Sequence, residues 1–223
     1  MDLEIITSVL IIIGIDVVLG GDNAIVIALA CRNLPERQRN KAIILGTFLA
    51  VIVRVLLTII ALYLLQIPFL QFVGGSFLIL IACKLLSDHG DDTAQIRSGV
   101  TLFAAVKTIV VADLVMGIDN VIAVAGAAHG RFHLVIMGLL ISIPIIIWGS
   151  KLILFLMERF PVFIYIGAGI LAYTAGKMIV HEEKLSYIYN QHPLALELLP
   201  FVMVIVVIAF GYLSNKIKVS ISV

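Results

Sequence analysis

The chain has 223 residues, 62% of them hydrophobic and 13% charged, with a mean hydropathy of +1.18 and a formal net charge of +1. Soluble domains carry about 25% charged residues, so the composition excludes a water-soluble globular protein, and the near-neutral charge argues against nucleic acid as a partner. Cys31 and Cys83 have no metal-ligand spacing and are too few for a disulfide framework, so both read as small apolar residues.

A spanning helix needs about 20 apolar residues. Seven segments meet that length, at about 4–30, 42–65, 69–86, 98–128, 133–157, 161–180 and 196–214. No Lys/Arg-rich region precedes the first, and Asp22-Asn23 lie inside it, so it reads as a mature helix rather than a cleaved signal. The connection after it carries Arg32, Arg37, Arg39 and Lys41, which the positive-inside rule assigns to the cytoplasm. The N-terminus is then expected outside, and the tail with Lys216 and Lys218 inside. The expected location is the cytoplasmic membrane, with the lipid bilayer as solvent for the whole chain.

The first segment contains Asp16-Val17-Val18-Leu19-Gly20-Gly21-Asp22-Asn23-Ala24-Ile25. The fourth contains Asp113-Leu114-Val115-Met116-Gly117-Ile118-Asp119-Asn120-Val121-Ile122, 97 positions later. Ionisable groups at bilayer depth cost about 2.5–3.5 kcal/mol each and default to a functional reading. The doubling continues: Gly46 matches Gly138, Ile67-Pro68 matches Phe160-Pro161, Gly74 matches Gly167 and Lys84 matches Lys177, at offsets of 92–93. A repeat of three helices must re-enter the membrane from the opposite side. The expected fold is therefore an all-α integral membrane protein, a single domain over 1–223. It comprises inverted repeats at about 4–86 and 98–180, plus a seventh helix at about 196–214. In transporters of this architecture the site lies near the midplane, between the repeats.

In an unbroken helix Asp16 and Asn23 share a face, while Asp22 points about 120° away from Asp16. Gly20-Gly21 is where such a helix can unwind, which would turn Asp22 inward. Gly117-Ile118 offers a milder break in the fourth helix. Candidate metal ligands are Asp16, Asp22, Asn23, Asp113, Asp119 and Asn120, all of them oxygen donors. Hard oxygen ligands suit Mg, Ca or Mn rather than Zn or Cu. With Arg54 and Lys107 as intramembrane counter-ions, the four aspartates leave a formal −2, which one divalent cation neutralises. From sequence, Arg54 is open to two readings, a structural ion pair or a surrogate cation for the site between transport events. For Lys107 the structural reading is the simpler. Because ligands must be deprotonated to bind, metal binding is expected to displace protons, the logic of an antiporter.

With these residues in view, the chain resembles the TerC family of bacterial integral membrane proteins, within the LysE-type exporter group. The matching positions are Gly20-Gly21-Asp22-Asn23-Ala24, Gly117-Ile118-Asp119-Asn120-Val121, Asp16 and Asp113. Its nearest likeness is to short seven-helix members from Gram-positive bacteria. The resemblance implies manganese export and a link to metalation of extracytoplasmic proteins, with secretion or membrane proteins as partners. Mn²⁺ is then cargo and no cofactor is expected. Two other readings stay open: an exporter of amino acids or another small solute, and a non-transporting scaffold for protein metalation. No HExxH motif or Ser/His/Asp constellation points to an enzyme. Asp88-His89-Gly90-Asp91-Asp92 and His129/His133 read as solvated or interfacial groups before they read as metal relays. The Gly126–Gly130 spacing fits a helix-packing motif, which leaves a homo-oligomer open.

Overall fold

The computed structural model describes residues 2–64, 67–87, 101–127, 132–182, 184 and 193–221. Eight helices make up the described chain, which contains no strand: α1 Asp2–Leu19, α2 Gly21–Cys31, α3 Glu36–Leu64, α4 Leu70–Ser87, α5 Leu102–Ala127, α6 Phe132–Arg159, α7 Val162–Val180 and α8 Pro193–Ile221. Five of them are long and apolar enough to cross a membrane, and α1 with α2 makes a sixth if that bent pair is one span. Within the described residues, each of the seven expected segments overlaps a helix. Among the described residues, five to six qualify by length and composition, and α5 is not among those. At 26 residues α5 nonetheless runs roughly 39 Å.

Large apolar side chains stand on the surface, while an apolar core encloses a few charged groups. Phe103, Trp148, Ile205 and Leu194 are exposed, whereas Asp16, Arg54 and Asp113 are buried. Large apolar side chains pointing outward fit contact with lipid tails, and ionised groups there would be costly, so they turn into the protein.

The chain forms two compact units. Unit 1 comprises Met1–Gln66 and Gly99–Glu158; unit 2 comprises Ile67–Ser98 and Arg159–Val223. Each takes elements from both halves of the sequence repeat.

Unit 1 packs α1, α2, α3, α5 and α6 around an apolar cluster that includes Val9, Ile12, Val51, Val124, Leu134 and Leu139. Two glycines let helices approach closely. A Cβ on Gly46 of α3 would sit 2.7 Å from the Ile109 side chain of α5, and one on Gly138 of α6 would sit 2.4 Å from that of Ile12 in α1. The contacts are reciprocal: 46 and 138 are 92 apart, while 12 and 109 are 97 apart, the same two offsets that relate the halves of the sequence. At one end of the unit, Arg39 of α3 pairs with Glu158 of α6 at 2.5 Å.

Unit 2 packs α4, α7 and α8. A Cβ at Gly75 would meet the Ala175 carbonyl at 2.6 Å, and one at Gly176 would meet Pro200 Cα at 2.5 Å, so small residues set both crossings. The buried Glu182 carboxylate, just past α7, accepts backbone N–H bonds from Phe69 (3.0 Å) and Gln71 (3.2 Å) at the start of α4. It thereby serves amides that have no partner within their own helix. Phe69 takes φ of 61°, a left-handed conformation unusual for a bulky residue.

Candidate ion site in unit 1

The first signature breaks its helix at Gly20 (φ −93°, ψ 6°), and the two arms, Ile6–Val17 and Gly21–Cys31, bend by 45°. Helical-type bonds still run across the bend, from Gly20 N–H to the Asp16 carbonyl (2.8 Å) and from Ala24 N–H to the Gly20 carbonyl (3.3 Å). The break is therefore a bend and not an unwound stretch. A Cβ at Gly20 would lie 2.2 Å from the Asp16 carbonyl oxygen, so the bend requires glycine there. Because the register survives, it is Asn23, and not Asp22 as expected, that lines the central cavity; Asp22 is half-buried in the first turn of α2.

The second signature differs. The expected break in the fourth span does not form: α5 is continuous through Gly117-Ile118. A single glycine costs a helix only about 1 kcal/mol, and the residue after it here is β-branched Ile118 rather than a second glycine.

At the centre of unit 1 lies Arg54 of α3, 1% exposed. Its two terminal nitrogens donate to different helices, Nη1 to Asp16 Oδ1 on α1 and Nη2 to Asp113 Oδ1 on α5. One guanidinium thus joins the first aspartate of each signature copy. The fork geometry of arginine makes this possible, where a lysine would offer one point charge.

The two carboxylates have different surroundings. Asp16 is satisfied on both oxygens, because the buried Ser142 hydroxyl of α6 donates to its Oδ2. Asp113 Oδ2 has no protein partner. Beside it is a small cavity with room for about one water-sized body. Its polar lining is Asn23, Thr47, Arg54 and Asp113, and its apolar wall includes Ala50, Ile109 and Ile146. Asn23 and Thr47 are 4% and 2% exposed, and neither the Asn23 side-chain atoms nor Thr47 Oγ1 finds a protein partner.

Of the candidates from sequence, Asp16, Asn23, Asp113 and Arg54 therefore come together. Asn120 is half-buried and does not line this cavity. The side chain of Asp119 lies outside the described residues, as do 88–92 and His129. Lys107 stands on an exposed face of α5 and is not part of the network formed by the described residues. Among those residues, no three His, Cys, Asp or Glu side chains cluster as a preformed metal cage would require. Sequence reasoning missed Ser142 and Thr47. Their signal was a hydroxyl in the middle of an apolar helix, and Thr47 directly follows the matched Gly46.

Apolar helices with lipid-facing side chains and a buried ion pair across the signature copies define a polytopic integral membrane protein. The match to the description "Integral membrane protein TerC family" covers residues 1–218, so the chain belongs to the TerC family. It is 54% identical over 208 residues to the uncharacterized membrane protein YjbE of Bacillus subtilis (strain 168), covering 93% of this chain and 95% of that one. It is 31% identical over 171 residues to the UPF0053 protein YegH of Escherichia coli, covering 67% of this chain but only 32% of YegH. A UPF0053 protein of Haemophilus influenzae is 25% identical over 169 residues, covering 67% of this chain and 71% of that relative. No solved structure matches.

Proposed function

We propose that this protein exports a divalent cation, Mn²⁺ above others, across the cytoplasmic membrane, and makes it available to proteins metalated outside. The single observation that carries the reading is the buried guanidinium shared by Asp16 and Asp113. A positive charge already occupies the place between the two signature copies, and oxygen-bearing side chains beside it have no protein partner. Arg54 then acts as the internal counter-ion that holds the aspartates when cargo is absent. Cargo competes with it for a carboxylate. The remaining signature residues, Asp22, Asp119 and Asn120, complete the proposed oxygen ligand set along the path.

The architecture we propose for this work is seven spans built as two inverted three-helix repeats plus the last helix, with the N-terminus outside and the C-terminus inside. Its support is the reciprocity of the Gly46–Ile109 and Gly138–Ile12 contacts, which an internal two-fold relation would produce. Oxygen-only donors favour Mn²⁺ over Zn²⁺, and Mg²⁺ sheds its water reluctantly.

The test is flux into proteoliposomes with Mn²⁺, Ca²⁺, Mg²⁺ and Zn²⁺ offered singly and in competition. Mn²⁺ flux is expected to lead and to be lost in Asp113→Asn, with opposing proton movement reported by a lumenal pH dye. Binding without flux would instead identify a metal-delivery scaffold. Absence of both for every cation would end the metal reading.

A further inference from the structure

The two signature copies match, but the helices packed against them do not. Counting back 92 residues from Ser142, the offset that relates Gly138 to Gly46, gives Ala50. The same offset pairs Ile146 with Arg54 and Leu139 with Thr47. Ser142 satisfies Asp16, whereas its counterpart Ala50 has no hydroxyl to offer Asp113, and Ala50 lines the same cavity as the unpartnered Asp113 Oδ2. The repeat therefore places a donor against one aspartate and leaves the other's second oxygen unpartnered, on a residue that lines the cavity.

Resting on the exporter reading, we propose that this cavity is the cation's seat, with Asp113 Oδ2, Asn23 Oδ1 and Thr47 Oγ1 as its protein ligands. Asp16 remains the partner of Arg54. Those three oxygens come from α5, α2 and α3, all on buried side chains, and no protein group satisfies them. One carboxylate, one amide carbonyl and one hydroxyl form a hard oxygen donor set for a divalent cation, and the cavity admits one body of about water's size. The asymmetry also settles which pair opens. A cation at Asp113 competes with Arg54 Nη2, while Nη1 stays on an Asp16 that Ser142 holds from the other side. Arg54 need not leave the site for cargo to enter; it releases one arm. Thr47 is thereby assigned a role as a ligand that sets affinity.

Substitutions at two positions test this from opposite directions. Thr47→Val removes the hydroxyl at nearly constant volume, and Thr47→Ser restores it. Ala50→Ser supplies Asp113 with the hydroxyl that Asp16 already has. Mn²⁺ binding to detergent-purified protein is measured by calorimetry, alongside Mn²⁺ flux in proteoliposomes and the metal-free melting temperature. Thr47→Val and Ala50→Ser are each expected to weaken Mn²⁺ binding by about tenfold or more, the range that loss of a supporting metal contact produces. Thr47→Ser should bind as the parent does, and metal-free melting of all three should stay near the parent's. If the parent transports Mn²⁺ but Thr47→Val and Ala50→Ser bind it with parental affinity, the cavity holds a structural water only and the seat is overturned, with the exporter reading intact. If the parent neither binds nor moves Mn²⁺, the exporter reading fails, and this assignment with it.

Discussion

Replacing Arg54 with Gln is the sharpest perturbation of unit 1, because one side chain pairs with two aspartates from two helices. Arg54 is 1% exposed, and its partners Asp16 and Asp113 are 2% and 6% exposed, so little solvent screens what is left behind. Removing one partner of a buried ion pair costs about 3–5 kcal/mol, chiefly because the other charge is stranded. Here two carboxylates are stranded and repel each other. At about 2–4 °C per kcal/mol for a chain of this size, the metal-free melting temperature should fall by roughly 6–20 °C.

The same substitution removes the competitor for Asp113, so divalent cation should bind the variant more tightly than the parent. A ligand present at 100 times its dissociation constant adds about 2.7 kcal/mol to the folded state. Mn²⁺ should therefore recover a large part of the loss in Arg54→Gln, while shifting the parent less. Scanning fluorimetry of both proteins in one detergent, with chelator and with Mn²⁺, measures each quantity. In vesicles the variant should release its cargo slowly, since the return step lacks its counter-ion. Metal-free melting of Arg54→Gln at the parental temperature would refute the buried-pair energetics. A loss that Mn²⁺ does not repair would refute competition between arginine and cation.

Two further outcomes follow from packing and capping. Gly138→Val places side-chain atoms against Ile12, where even a Cβ would lie 2.4 Å from Cγ2, and should cost about 1–3 kcal/mol in thermal denaturation. Ile12→Ala should relieve part of that, and Gly46→Val with Ile109→Ala should repeat the pattern; additive effects in both double-mutant cycles would contradict the reciprocal contacts. Glu182→Ala strips the acceptor from the start of α4 and should lower stability by about 1–2 kcal/mol, the loss typical of a helix cap. Glu182→Gln, which keeps an acceptor oxygen, should fall between the two, and parental melting of the Ala variant would dismiss the cap.

Much of this was legible in the sequence because membrane burial leaves coarse marks. Apolar length located the helices, and the doubled signature supplied Asp16 and Asp113, the two carboxylates of the ion pair. Arg54 stood out as a charge in mid-span, although its sharing between Asp16 and Asp113 depends on how α1, α3 and α5 pack. The broken helix was half legible. Gly20-Gly21 bends the first signature, but Gly117-Ile118 does not bend the second, since one glycine is tolerated where neighbours keep the helix intact. Asp22 was expected to turn inward if the helix unwound; the bend preserves the register, so Asn23, on the face it shares with Asp16, lines the cavity. Ser142 and Thr47 escaped notice because a lone hydroxyl in an apolar helix more often bonds its own backbone, as Ser142 also does to the Leu139 carbonyl at 2.8 Å.

The cap at Glu182 carries a consequence for the order in which the chain is made. Phe69 and the carboxylate that receives its amide are 113 residues apart. Synthesis runs from the N-terminus, so α4 leaves the ribosome long before the residue that completes its first turn exists. Until Glu182 arrives, the amides of Phe69 and Gln71 lack this acceptor. Closure of the 69–182 contact joins the beginning of α4 to the end of α7, making it a late event in the formation of unit 2.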